Sequence, residues 1–257
     1  MNTLAERIAA AECGRTHLFA LGQAGFVIKS ASGQLLAIDL YLTDCVERLE
    51  GHMGFKRMLP RLLMPDELAF DAVIATHPHW DHYDVDAMPA MMRAAKTKLY
   101  ASTGCRELVQ GGRIDENRVV YVTPGELCKA GDFELHFINC DHGEGAPDAV
   151  GVLIRVDGKL ILEAGDTCLR LDREAEYLHD GKLDILIAPI NGKFGNMTED
   201  DCARLAHALQ PRLTIPCHYG MCASHGGDPG KFYNIMTTQY SSLPFCVMGM
   251  GEQLTLA

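Results

Sequence analysis

The 257 residues are 47% hydrophobic and 22% charged, with a net charge of −11, the profile of a globular chain with a sizeable core. This acidity argues against nonspecific binding to nucleic acid or anionic membranes, which needs basic patches. A small anionic substrate stays open, since bound metals and a few local cations override the global field. No stretch reaches the roughly 18 uninterrupted apolar residues of a membrane span, and the opening residues hold Glu6 and Arg7 with no apolar leader. The expectation is a cytoplasmic protein whose 10 cysteines, scattered and without a Cys-x-x-Cys pair, are free thiols.

In chain order, residues 17–21, 25–30 and 34–38 are short apolar runs broken by glycine, which predicts consecutive antiparallel strands with tight turns. Residues 45–68 break this rhythm with Gly51, Gly54, Pro60 and Pro65 among basic and methionine residues. They read as an irregular insertion or short helices near a site mouth. There His52, Lys56, Arg57 and Arg61 are candidates to meet an anionic substrate, against the plainer reading that each is solvated. Residues 72–75 form a buried strand that runs into Thr76-His77-Pro78-His79-Trp80-Asp81-His82. A lone histidine is usually a packing residue. Three imidazoles and a carboxylate crowded after a strand are instead suited to a borderline divalent metal such as Zn²⁺, Mn²⁺ or Fe²⁺.

Apolar residues at helical spacing predict a helix over 85–96, then a strand over 98–101. A helix over 103–110 follows, with a Thr or Ser cap and an end at Gly111-Gly112. Strands are expected at 119–122 and 133–139, where His136 reads as structural, and a glycine-bearing loop then carries His142. Residues 149–156 and 159–164 form a hairpin around Asp157-Gly158, leading into Gly165-Asp166-Thr167 with Gly165 free to bend tightly. A short helix over 173–179, a buried strand over 183–189 and a helix opened by Thr198 and Asp201 come next. The last buried strand, 211–217, delivers His218. Cys140, Cys168 and Cys217 sit near these positions and read as packing rather than as ligands. No linker divides the chain, so residues 1–257 read as one domain.

This series of His-x-His-x-Asp-His, a histidine after a strand, Gly-Asp-Thr after a hairpin and a final histidine resembles the metallo-β-lactamase superfamily over nearly the whole chain. The resemblance implies a four-layer αββα sandwich, of class α/β (α+β), holding two divalent ions, Zn²⁺ or Mn²⁺ with Fe²⁺ open. It assigns His77, His79 and His142 to one ion, Asp81, His82 and His218 to the other, and Asp166 as the bridge. Asp39 becomes a candidate support for a ligand histidine, with Glu163 and Asp141 as weaker ones. The implied activity is hydrolysis with hydroxide, not a side chain, as nucleophile.

Two segments, Pro189-Ile190-Asn191-Gly192 through Met197-Thr198 and Ile215-Pro216-Cys217-His218, look like the L-ascorbate-6-phosphate lactonase-like branch. That branch implies a lactone or related ester, with a phosphorylated sugar-acid lactone among the candidates, and leaves a homo-oligomer open. Asp81, His218 and Tyr219 are then the catalytic candidates, Tyr219 as a hydrogen-bond donor to a developing oxyanion. Lys193, Asn191, Tyr219 and His225 are the substrate candidates, Lys193 because a glycine-flanked loop before a helix suits a phosphate. The alternatives are a small-molecule phosphodiesterase and a non-catalytic metal-binding sensor or scaffold.

Overall fold

A computed structural model describes residues 2–256. The chain opens with α1 (Leu4–Ala10), started by a capping box between Thr3 and Glu6. The strands β1 (Thr16–Gly22), β2 (Gly25–Lys29) and β3 (Leu35–Ile38) then form an antiparallel meander. After α2 (Cys45–Glu50) and an irregular stretch, β4 (Ala72–Ala75) joins β3 in parallel. A short α3 (Met88–Met91), β5 (Lys98–Ser102), α4 (Arg106–Gly111) and β6 (Val119–Val122) extend the parallel part of the sheet.

The second sheet begins with β7 (Leu127–Ala130), β8 (Phe133–Asn139), β9 (Val150–Val156) and β10 (Lys159–Glu163), all antiparallel neighbours. The β9–β10 turn has positive φ at both Asp157 (48°) and Gly158 (76°), as a two-residue hairpin turn whose twist matches its strands requires. Then come α5 (Glu174–Tyr177), β11 (Ile185–Pro189), α6 (Glu199–Leu209), β12 (Leu213–Cys217), α7 (Pro229–Gln239) and β13 (Gln253–Leu256). The sheet orders are β13-β1-β2-β3-β4-β5-β6 and β12-β11-β10-β9-β8-β7, so the last strand returns to the first sheet.

Both faces of each sheet are covered, which is why the central strands read as continuous apolar runs. In β1, Leu18 and Ala20 point between the sheets while Phe19 and Leu21 point outward beneath α1, α3 and α4. Phe26, Ile74, Phe133, Phe137, Ile161 and Ile187 fill the layer between the sheets. Tyr177, Cys202, Leu205, Phe232 and Ile235 seal the outer face of the second sheet from α5, α6 and α7. The result is the four-layer αββα sandwich.

Two expectations change. The helix expected over 85–96 is only Met88–Met91 flanked by turns. Pro89 has no N–H to give to a carbonyl one turn back, so a helix cannot run through it from Val85. No Thr or Ser side chain caps α4 or the 3₁₀ turn before it. Residues 45–68 form α2, one 3₁₀ turn and extended chain, pinned at the site mouth by Tyr41, Cys45, Val46, Phe55, Met221 and Cys222. No helix among the described residues is long and apolar enough to cross a membrane.

Candidate metal centre

Strand ends bring the chemistry together. Asp39 follows β3, the His77–His82 loop follows β4, His142 follows β8, Asp166 follows β10 and His218 follows β12. The strands β3 and β4 run parallel, as do β10, β11 and β12, so these residues leave carboxyl ends on one edge of the sandwich. Gly165 makes the turn before Asp166 possible: its φ is 68°, and a Cβ there would lie 2.9 Å from the Val150 carbonyl oxygen.

His77, His79 and His142 form one group of potential ligands, and Asp81, His82 and His218 another. In the first, His79 Nδ1 lies 3.0 Å from both His77 Nε2 and His142 Nε2. In the second, His82 Nε2 and His218 Nε2 are 3.4 Å apart. Asp166 Oδ2 stands between them, 3.8 Å from His142 Nε2, 3.3 Å from His82 Nε2 and 3.1 Å from His218 Nε2. Its Oδ1 is buried without a protein partner.

The polar groups behind the ligands fix their tautomers. Asp39 is fully buried and accepts from the Thr76 backbone N–H at 2.8 Å and the Thr76 hydroxyl at 2.6 Å. With that hydroxyl proton committed, His77 Nδ1–H donates to Thr76 Oγ1 at 3.0 Å, and His82 Nδ1–H donates to Asp39 at 2.6 Å. Both rings therefore aim unprotonated Nε2 atoms at the site. Lone pairs converging at 3.0–3.4 Å repel unless a cation lies among them. Donors about 2.0–2.1 Å from a tetrahedral ion sit roughly 3.3 Å apart. The donor set fits divalent metal ions.

Charge tells the same story. Burial disfavours ionised His82 and His218, yet Asp166 and Asp81 hold the His82 pKa well above its ordinary value and that of His218 up at about 9. Burial works against the Asp81 and Asp166 carboxylates too, but the neighbouring histidines keep both well below the usual range. Burial and the surrounding imidazoles lower His77 far down and His142 to about 4. The carboxylates thus demand positive charge, which protons on His82 and His218 supply when no metal does. Burial, with Asp39 nearby, pushes the Glu163 carboxyl well above the usual carboxylate range. It accepts from Gly165 N–H at 3.1 Å and so shapes the Asp166 turn.

The site opens into a cavity of about 340 Å³ bordered by His79, Asp81, His142, Asp166, His218 and His225. His225 is 5% exposed and stacks on Phe55, its ring centroid 4.6 Å away. Gly226 and Gly227, with φ of 83° and 78°, let its loop lie against Asn191 and His218, where added Cβ atoms would come within 2.6 and 2.9 Å of backbone oxygens. Gln23, which the sequence reading passed over, holds this corner. Its side-chain amide donates to Asp81 Oδ2 at 2.7 Å and to His225 Nδ1 at 2.8 Å, and its backbone carbonyl accepts from His218 N–H at 2.7 Å.

Other candidates lie elsewhere. Tyr219 does not face the ligands: its hydroxyl donates to the Met248 carbonyl at 2.6 Å and its ring lines a separate apolar cavity. Lys193 does not line the cavity, and its ammonium donates to the Ser224 carbonyl at 2.6 Å. Asn191 is a loop brace whose Oδ1 accepts from Asn196 at 3.0 Å. Asp141 pairs with Arg170 rather than with a ligand. Lys56 pairs with Glu47, Arg61 with Asp44, and Arg57 donates to the carbonyls of Tyr41, Thr43 and Leu59. Among the described residues no cysteine joins a ligand cluster, and Cys140 donates to the Asp166 carbonyl at 3.1 Å.

A family model, the beta-lactamase superfamily domain, matches residues 40–219, a span from Asp39's neighbour to just past His218. The chain belongs to the metallo-β-lactamase superfamily. Within the superfamily it is 25% identical over 251 residues to the probable L-ascorbate-6-phosphate lactonase of Escherichia fergusonii, covering 81% of this chain and 71% of that protein. Among solved structures it resembles Igni18, a metallo hydrolase of Ignicoccus hospitalis, with a TM-score of 0.74 at 21% identity, covering 94% of this chain and 98% of that one. An isothiocyanate hydrolase from Delia radicum gut bacteria superposes with a TM-score of 0.71 at 20% identity, covering 94% and 99%. At these identities the structures attest the fold.

Proposed function

We propose that this protein is a metal-dependent hydrolase that opens a small lactone or related carboxylic ester. The observation that carries the reading is Asp166, shared between two groups of converging donors at the floor of an open cavity. A structural metal needs only about four ligands in a closed shell, whereas here His79, Asp81, His142, Asp166 and His218 all border the cavity.

His77, His79 and His142 would hold one divalent ion, Asp81, His82 and His218 the second, and Asp166 would touch both. Such a pair supplies hydroxide at neutral pH, polarises a carbonyl and steadies a leaving oxygen. The chain's own groups do the rest. Asp39 and Thr76 hold His82 and His77 in the ligating tautomer. Gln23 fills His225 Nδ1, so the proton of that ring sits on Nε2, at the cavity and 3.9 Å from Asp81 Oδ2. From there His225 donates a hydrogen bond to the oxygen that gains charge as the ester opens. The sequence likeness to a lactonase supports the ester over other hydrolysable bonds.

The test is turnover of a lactone panel beside bis-p-nitrophenyl phosphate, after Mn²⁺ or Zn²⁺ is restored to metal-free protein. Lactone turnover should vanish in Asp166→Ala and fall by about 100-fold in His225→Ala with KM little changed. Turnover of the phosphodiester alone would replace this reading with a phosphodiesterase.

A further inference from the structure

We infer that the pocket selects an uncharged ester or lactone carrying an apolar, preferably aromatic, substituent, and discriminates against a phosphorylated one. The inference rests on the hydrolase reading for the reacting bond and on the cavity wall for everything else. Apart from the ligands, the cavity is lined by Val46, Met53, Phe55, Trp80 and Phe194, with Glu50 as the one charged side chain outside the ligand set. Three rings make a corner: Phe55 stacks on His225, and the Phe194 ring centroid lies 5.7 Å from each in edge-to-face geometry, at 75° and 86°. Aromatic groups prefer such stacked and edge-on surroundings.

Met53 and Phe194 are also 50% and 48% exposed, large apolar side chains at the rim of a cavity. A substrate of matching polarity would cover them, and apolar area removed from water favours binding. Phe194 holds this position with a φ of 55°, a left-handed backbone uncommon for a bulky aromatic residue.

A phosphate would find no partner on this wall. Phosphate recognition uses guanidinium forks, ammonium groups or clustered backbone N–H donors. No lysine or arginine among the described residues lines the cavity, and the cations of the neighbouring loops are engaged with Glu47, Asp44 and backbone carbonyls. Glu50 would add repulsion to an anionic substituent. The volume, about 340 Å³, lies at the small end of ligand pockets, so one ring and its lactone nearly fill it.

Trp80 is the chain's single tryptophan and lies in the wall, so its fluorescence reports occupancy without any turnover. Dihydrocoumarin, an uncharged aromatic lactone, and phosphogluconolactone would each be titrated into the metal-free protein and then assayed as substrates of the metal-loaded enzyme. Dihydrocoumarin should perturb Trp80 with a Kd at least tenfold lower and be hydrolysed with a higher kcat/KM. Phe194→Ala should cost dihydrocoumarin about tenfold in kcat/KM, and Glu50→Lys should shift the ratio of the two substrates towards phosphogluconolactone. Tighter binding and faster turnover of phosphogluconolactone by the unmodified protein would overturn the inference, as would a ratio indifferent to both substitutions. Preferential binding of dihydrocoumarin with no hydrolysis of either lactone would uphold the pocket's selectivity and defeat the hydrolase reading.

Discussion

Asp39 shows how much one residue behind a metal centre can do. It touches no cavity, yet its carboxylate takes hydrogen bonds from Thr76 and His82 and so, through Thr76, governs His77 as well. Asp39 also has a φ of 45°, an uncommon backbone for an aspartate and a cost the surrounding network must offset. Asp39→Asn keeps the shape but presents an N–H₂ where at least one of the three donors must now be refused. Metal affinity is expected to fall by about 10–100-fold, the usual effect of losing a group that orients a ligand histidine, as read by competition with a chromophoric chelator. Unchanged affinity would mean that His82 needs no orienting partner. Gln23 is the same kind of residue on the other side, linking Asp81, His218 and His225 across long stretches of sequence.

At the scale of elements, the loops decide the chemistry and the strands only deliver it. The 223–228 loop reaches the site because Gly227 takes a φ of 78° and lies within van der Waals distance of Tyr219 and His218. Gly227→Ala adds a Cβ 2.7 Å from the Tyr219 Cβ and 2.9 Å from the His218 carbonyl. The backbone strain alone costs about 1–3 kcal/mol, so thermal melting should move down, and displacement of His225 should lower kcat/KM by more than tenfold. A variant with wild-type activity would show that the position of His225 is immaterial.

The elements also differ in how far the sequence revealed them. Central strands such as β2, β4 and β12 carry dense apolar runs that packing on both faces requires, and ligand histidines directly follow β4 and β12. Their order along the chain carried the resemblance to the superfamily. Weakly patterned elements escaped: β7 is an edge strand with Leu127 75% exposed, and β13 is another edge, paired with β1. The helix α7 buries only Phe232, Ile235 and Met236 among polar residues, although Asp228 as cap and Pro229 in the first turn were readable start signals. Tyr219 misled because adjacency in sequence to His218 says nothing of direction: the chain turns at His218, with a φ of 64°, and the next side chain leaves for another cavity. Gln23 belongs to no motif, so only its contacts in the folded chain reveal it.

For the whole molecule, the site exists only when both sheets are assembled. Asp39 and the His77–His82 loop come from the first sheet, whereas His142, Asp166 and His218 come from the second. An ion held by donors from both therefore ties the halves of the sandwich together, and metal binding adds to folding stability. The two buried carboxylates at the centre, Asp81 and Asp166, seek cations. The most direct test is the metal content of the purified protein, loaded with Mn²⁺ or Zn²⁺, desalted and analysed by mass spectrometry beside Asp166→Asn. Two ions per chain are expected in the wild type, falling to one or fewer when the shared carboxylate is lost. One ion or none in the wild type, or two retained by Asp166→Asn, would contradict a centre built around Asp166.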